Sequence, residues 1–169
     1  MIQDSGLRTE FDTGAVRDMK EGKGRCDLMP LDVLAEFFML NGEDGENSEI
    51  IGNIYQFQQT GNYRKLFSAL DVFNELHWQN NTTMMLEVSK HFEEGAKKYG
   101  ECNWQKGIPE SSYIDSAVRH YLKWLRGDKD ERHDRAFVWN ILCLIWTHKH
   151  KGESDNGGCE VDKDNNGYI

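Results

Sequence analysis

The stretch Thr82-Thr83-Met84-Met85-Leu86-Glu87-Val88-Ser89-Lys90-His91-Phe92-Glu93-Glu94-Gly95-Ala96-Lys97-Lys98-Tyr99-Gly100 decides the fold class. Its apolar positions Met84/Met85, Val88, Phe92, Ala96 and Tyr99 recur at the spacing of one helix face, not at the alternation of a strand. Thr82 or Thr83 supplies an N-cap hydroxyl, and Gly100 suits the left-handed position after the last turn. The same pattern recurs on the C-terminal side. Ser111 or Ser112 opens a helix through about Arg126, with Ile114, Val118, Tyr121, Leu122 and Leu125 inward. Gly127-Asp128 breaks it, and a third helix is expected from about Lys129 to His148 with Phe137, Ile141, Leu144 and Ile145 inward.

On the N-terminal side, Pro30 suits the first turn of a helix that begins in Leu28-Met29-Pro30-Leu31-Asp32-Val33-Leu34. The acidic residues 41–49 read as a loop, residues 50–58 as a short helix, and 62–76 as another, with Leu66, Leu70, Phe73 and Leu76 at helical spacing. Residues 1–27 are punctuated by Gly14, Gly22 and Gly24 and read as irregular. The expectation is an all-α bundle of about five to six helices, one domain over 1–150, with 151–169 as a polar, flexible tail.

The chain has 169 residues, enough to bury a core of its own. Its net charge of −9 argues against coating duplex DNA or an anionic membrane, but leaves room for nucleotides held in a local basic pocket. Met1 to Glu10 lacks an apolar core of the signal-peptide kind, and no 18-residue apolar run exists, so a cytoplasmic protein is expected. The four cysteines form no Cys-x-x-Cys pair, and Cys143 lies in an apolar run that reads as core.

The polar residues follow a pattern too. Glu87, His91, Glu94 and Lys98 form one stripe beside the apolar face of their helix, with Glu93 and Lys97 next to it. Ser116, His120, Lys123 and Trp124 share a face of the next helix, with Arg119 adjacent. On the third, His133 and Asn140 are two turns apart, and Asp130, Glu131 and Asp134 crowd its start. Stacked as neighbours, these helices bring carboxylates, histidines and an amide to one cleft, where a hard divalent ion relieves carboxylate repulsion and bridges phosphate oxygens. Lys97, Lys98, Arg119 and Lys123 are placed to neutralise phosphate, and Trp104 or Tyr99 offers a flat face for a base. Alternating Glu and Lys at i, i+4 is also ordinary decoration of a solvated helix. Asn140, set amid Phe137, Val138, Trp139, Ile141 and Leu142, needs a partner wherever it is buried.

Several of these stretches resemble a phage and prophage family, the dATP/dGTP diphosphohydrolases of the N-terminal domain type. They are Phe11-Asp12-Thr13-Gly14-Ala15-Val16-Arg17-Asp18, Gly24-Arg25-Cys26-Asp27-Leu28-Met29-Pro30, and the run from His91 through Tyr99-Gly100-Glu101-Cys102-Asn103-Trp104. Ala117-Val118-Arg119-His120, Trp124-x-x-Gly127 and His133-x-x-Ala136-x-x-Trp139-Asn140 belong with them. The resemblance covers about 11–34 and 84–148 and leaves 35–83 as an insertion. It implies a cut between the α and β phosphates of dATP or dGTP, releasing dNMP and pyrophosphate with Mg²⁺ (or Mn²⁺), similar to the all-α MazG-type pyrophosphohydrolases. Those carry Glu-x-x-Glu on one helix and Glu-x-x-Asp on the next; here His91-x-x-Glu94 stands in the first place and Glu131-x-x-Asp134 matches the second.

The resemblance points to Glu93 and Glu94 as metal carboxylates, with Asp130, His133 and Asn140 completing the metal site. His120 and His133 would assist the chemistry beside Glu93 and Glu94. Arg17, Lys23 and Arg25 would fold over the triphosphate, and Lys97, Lys98, Asn103, Trp104, Arg119 and Lys123 would line the nucleotide site. A nucleotide ligand, a homo-oligomer (dimer or tetramer), no membrane, no duplex nucleic acid and a host bacterial cytoplasm go with that reading. Two other readings compete: a phage protein that sequesters a nucleotide or cyclic nucleotide without cleaving it, and an assembly helper that uses 35–83 as a contact surface. Asp162-Lys163-Asp164-Asn165-Asn166-Gly167-Tyr168-Ile169 matches the first eight positions of an EF-hand loop but stops before the bidentate Glu, so it reads as polar tail.

Overall fold

The computed structural model describes residues 6, 8–18, 24–40 and 45–151. Lys23, Cys159 and the EF-hand-like segment Asp162 to Ile169 lie outside the described residues. The architecture is an all-α bundle of six helices: α1 (Leu31–Leu40), α2 (Gly45–Thr60), α3 (Arg64–His77), α4 (Asn81–Tyr99), α5 (Glu110–Arg126) and α6 (His133–Lys149). α1 packs on α2 and α2 on α3, while α6 receives α3, α4 and α5. α6 is accordingly apolar over most of its circumference, burying Phe137, Val138, Ile141, Cys143, Leu144 and Ile145.

Phe73 of α3 ties the two halves together. It is fully buried, and its ring meets Trp78, Tyr121, Trp124 and Phe137 edge-on at centroid distances of 5.7, 6.0, 4.9 and 4.7 Å. Tyr121 also donates its hydroxyl to Asn47 Oδ1 of α2 at 2.6 Å, which satisfies a phenol that is otherwise sealed in the core.

α2 begins at Gly45, inside the stretch read as a loop, and α5 begins at Glu110 behind Pro109, so neither Ser111 nor Ser112 caps it; three further expectations change. The N-cap of α4 is Asn80: its backbone is extended and its side-chain Oδ1 accepts the Thr83 N–H at 2.8 Å, so neither threonine caps it. α6 begins at His133, four residues later than periodicity suggested. Gly127, at φ 82°, donates to the Trp124 carbonyl and Asp128 to the Lys123 carbonyl, closing α5 with a left-handed cap that no continuous helix can pass. Thirdly, the N-terminal segment is not all irregular. Strands β1 (Arg8–Glu10) and β2 (Val16–Asp18) pair antiparallel with Thr9 opposite Arg17. Three residues per strand are too few for a legible alternation. The hairpin is held from outside instead: Asn103 Oδ1 accepts the Val16 N–H and Asn103 Nδ2 donates to the Val16 carbonyl, both at 2.8 Å, as a neighbouring strand would.

Replacing Phe73 by Ala should cost about 3–5 kcal/mol, read as a drop in the denaturant midpoint, because four aromatic rings lose their common partner.

Candidate functional site

β2, the C-terminal half of α4, the turn Cys102–Trp104, the inner face of α5 and the middle of α6 enclose a cavity of about 800 Å³. This is the size of a small-molecule pocket. Phe92, Tyr99, Trp104 and Trp139 form its apolar walls, and Arg17, Arg119, Lys123, His120, Glu131 and Asn140 its polar ones.

Arg17 enters from β2. Its Nη2 donates to Asn140 Oδ1 at 2.9 Å and to Ser116 Oγ at 3.2 Å. Its guanidinium lies over the faces of Tyr113 (5.1 Å) and Trp139 (6.0 Å). Nη1 is closed off from solvent without a hydrogen-bond partner, and among the described residues no carboxylate pairs with this cation. Burial accordingly pushes its pKa down. The other cations of the cavity are already matched: Arg119 by the fully buried Asp115, whose Oδ1 also accepts the Cys26 N–H at 2.7 Å, and Lys123 by Asp130 at 3.0 Å.

Across the cavity from this cation's amide anchor, α5 and the mouth of α6 bring three donor atoms together. His120 Nδ1 and His133 Nδ1 are hydrogen-bonded at 3.0 Å. Glu131 Oε1 stands 3.3 Å from the first and 3.5 Å from the second. The other nitrogen of His133, Nε2, meets Asp130 Oδ1 at 2.7 Å. Burial, with the neighbouring His133 adding to it, pushes the His120 pKa well down. Lys123 and then His133 hold the Asp130 carboxyl far below the ordinary carboxylate range. Two groups of metal-capable side chains result, His120–Glu131–His133 and Asp128–Asp130–His133. In the second group both carboxylates already face cations, Asp128 the Arg126 guanidinium and Asp130 the Lys123 ammonium. In the first, Glu131 has no Lys or Arg partner among the described residues. A divalent ion therefore fits the first group, whose donors are two neutral-capable nitrogens and one uncompensated carboxylate.

The metal residues expected from the sequence divide. His133 is among the converging donors, and Asp130 stands behind it. Glu93 does not join them: its carboxylate is 63% exposed at the cavity rim and is paired with Lys97 one turn on. Glu94 belongs to neither group, and its charge acts on Arg132. Asn140 lies outside both groups as well: its oxygen accepts from the Arg17 guanidinium and its Nδ2 donates to the Ala136 carbonyl at 2.7 Å. Of the nucleotide residues, Arg17, Trp104, Arg119 and Lys123 line the cavity. Asn103 lines it too but spends both ends of its amide on Val16. Lys97 and Lys98 lie off the lining, paired with Glu93 and Asp18, and Arg25 is turned to Asp27 in a double hydrogen bond. The residues that sequence reasoning passed over are Glu131 as a donor, Ser116 and Asn140 as anchors of Arg17, and Tyr113 and Trp139 as its aromatic seat. The signal for the first was the Glu131-x-x-Asp134 match, although Glu131 was left out of the expected ligand set.

His91, buried on α4 against Trp139 and lining the same cavity, has its pKa lowered to about 4 by burial and by Arg135. Between about pH 6.5 and 4 the unfolded chain protonates this ring and the folded chain does not, so stability falls as the pH drops through that window. The loss amounts to about 2–3 kcal/mol. Denaturant midpoints measured at pH 7, 5.5 and 4.5 should show this slope, and His91→Gln should flatten it to what His120 contributes in the same direction.

No curated protein and no solved structure matches the chain. Among protein families, residues 75–156 match the one described as dATP/dGTP diphosphohydrolase, N-terminal, a span that runs from the end of α3 through α4, α5 and α6 and so carries His120, Glu131 and His133. The helices that build most of this cavity thus resemble the dATP/dGTP diphosphohydrolase N-terminal family over 75–156.

Proposed function

We propose that the cavity takes dATP or dGTP and that the protein hydrolyses it between the α and β phosphates, giving dNMP and pyrophosphate. The observation that carries this reading is a buried guanidinium without a carboxylate, Arg17, sharing one cavity with a His–His–Glu convergence of metal-donor type. Arg17, fixed by Asn140, Ser116 and two aromatic faces, offers a phosphate a cation that no anion among the described residues has claimed. Arg119 and Lys123 exchange part of their bonding to Asp115 and Asp130 for phosphate oxygens as charge develops on the departing pyrophosphate. The base lies against Trp104, Tyr99, Phe92 and Trp139, which wall the apolar side. Burial disfavours a positive charge on His120, so the ring sets no fixed repulsion against a metal ion.

A divalent ion held by His120, Glu131 and His133 would polarise a phosphoryl oxygen and acidify an attacking water. The Mg²⁺ expected from the sequence belongs, in this proposal, with the incoming triphosphate, since magnesium favours oxygen donors and substrate phosphates. The cellular role we propose is control of the deoxynucleotide pool in the cytoplasm of a phage-infected bacterium. Among the described residues no helix is long and apolar enough to cross a membrane. Assembly into a homo-oligomer is part of the proposal: α1 leaves Val33, Phe37 and Leu40 exposed along one face, an apolar stripe of the kind that subunit contacts cover.

The test is incubation with dATP or dGTP and a divalent ion, with products resolved by anion exchange. dNMP and pyrophosphate should form, and EDTA should abolish them. Nucleoside diphosphate with phosphate, or no product, would sink the cleavage reading; tight binding with the nucleotide returned intact would favour the sequestering one. Glu131→Gln should lower kcat/KM by about 100-fold with the melting temperature little changed. Arg17→Leu should weaken nucleotide binding by about 10–100-fold by calorimetry, the worth of a charged hydrogen bond.

A further inference from the structure

The donor set at the α5–α6 junction differs from an all-oxygen magnesium site, and its dimensions say what it suits. The three edges of the triangle, 3.0 Å between the Nδ1 atoms and 3.3 and 3.5 Å to Glu131 Oε1, are close to the separations of neighbouring ligands around a first-row transition ion. With metal–ligand bonds of about 2.0–2.2 Å, cis ligands lie about 3.0–3.5 Å apart. His133 is set for this by its other side. Asp130 is a carboxylate and can only accept, so His133 Nε2 carries the proton and Nδ1 is left with its lone pair toward the triangle. Lys123 fixes Asp130 at 3.0 Å, completing a lysine–carboxylate–histidine line that orients the ring. His120 and Glu131 face the cavity while His133 lies behind them, so an ion at the triangle would keep positions open toward it.

We propose that His120 Nδ1, His133 Nδ1 and Glu131 Oε1 form a resident binding site for a first-row transition ion of the Mn²⁺–Zn²⁺ group, one that forms without nucleotide, discriminates against Mg²⁺, and takes the place of the proton between the two Nδ1 atoms, which passes to His120 Nε2. Imidazole nitrogens favour these ions over magnesium, which holds its water and prefers oxygen. Asp130 acts as a positioning residue, through His133. The proposal rests on the metal-site part of the functional reading above but not on cleavage.

The chain, stripped with EDTA and dialysed, is titrated with Co²⁺ in the absence of nucleotide and followed by its visible absorption. One equivalent should bind with nitrogen-ligand d–d bands that survive a large excess of Mg²⁺ and are displaced by Zn²⁺. Glu131→Gln should weaken binding by at least about 10-fold, and Asp130→Asn by about 10–100-fold with the bands retained but shifted. Asp128→Asn should leave both unchanged, and circular dichroism of each variant checks that it is folded. Bands lost to equimolar Mg²⁺, binding unaltered in folded Glu131→Gln, or binding abolished by Asp128→Asn would overturn the site. Stoichiometric Co²⁺ binding without any nucleotide turnover would instead overturn only the cleavage reading, and turnover with Mg²⁺ alone and no Co²⁺ site would overturn only this one.

Discussion

Two imidazoles whose Nδ1 atoms sit 3.0 Å apart can share one proton but cannot both carry one there. That contact depends on the reversal between α5 and α6. Gly127 takes a left-handed conformation, the last carbonyls of α5 are capped by the amides of Gly127 and Asp128, and the chain turns back at once. His120, two turns before the cap, then meets His133, the first residue of the next helix. The short connection is where Asp130 and Glu131 lie, so the same turn that ends one helix supplies both carboxylates of the site. A longer or looser turn would separate all four.

The second constraint is the burial of Arg17. A cation placed against Tyr113 and Trp139, with an amide and a hydroxyl as its polar partners, is stable enough to be held but is not neutralised. Its position depends on a hairpin of two three-residue strands, which would not persist alone. Asn103 stands in for a third strand, and Asp18 adds ion pairs to Arg8 and Lys98. The N-terminal segment thus closes the cavity over α4 and α5 and places its least compensated charge inside. Asp115 does the equivalent for the following turn by holding the Cys26 amide.

Much of the bundle was legible beforehand. The periodic stripe of Met84, Val88 and Phe92 and the Gly100 and Gly127 stops are local features, and helix existence follows from them almost directly. Boundaries were less legible where side chains compete for capping: Asn80 outcompetes the threonines of α4, and the Lys123–Asp130 pair holds outside α6 a residue that periodicity alone placed in it. The site was half legible. His120, His133, Asp130, Asn140 and Arg17 were all singled out, His133 already as a metal residue and Arg17 as a phosphate cation, whereas Asn140 turns to Arg17 and Glu93 and Glu94 stand apart from the donors. A carboxylate's availability depends on which cations reach it: in α4 Lys97 pairs with Glu93 one turn away, and Glu87 is taken by Lys90 of the same helix and by Arg135 of α6.

By itself the sequence determined that the chain would form amphipathic helices, that their polar stripes would carry histidines and carboxylates, and that Gly127 would separate the last two. These are matters of spacing within one helix, where each residue's direction follows from its number. Only the tertiary structure decided which stripe became the donor triangle and which stayed in solvent. That choice depends on how α5, α6 and β2 approach one another, and hence on which charges are left without a partner once the cavity has closed.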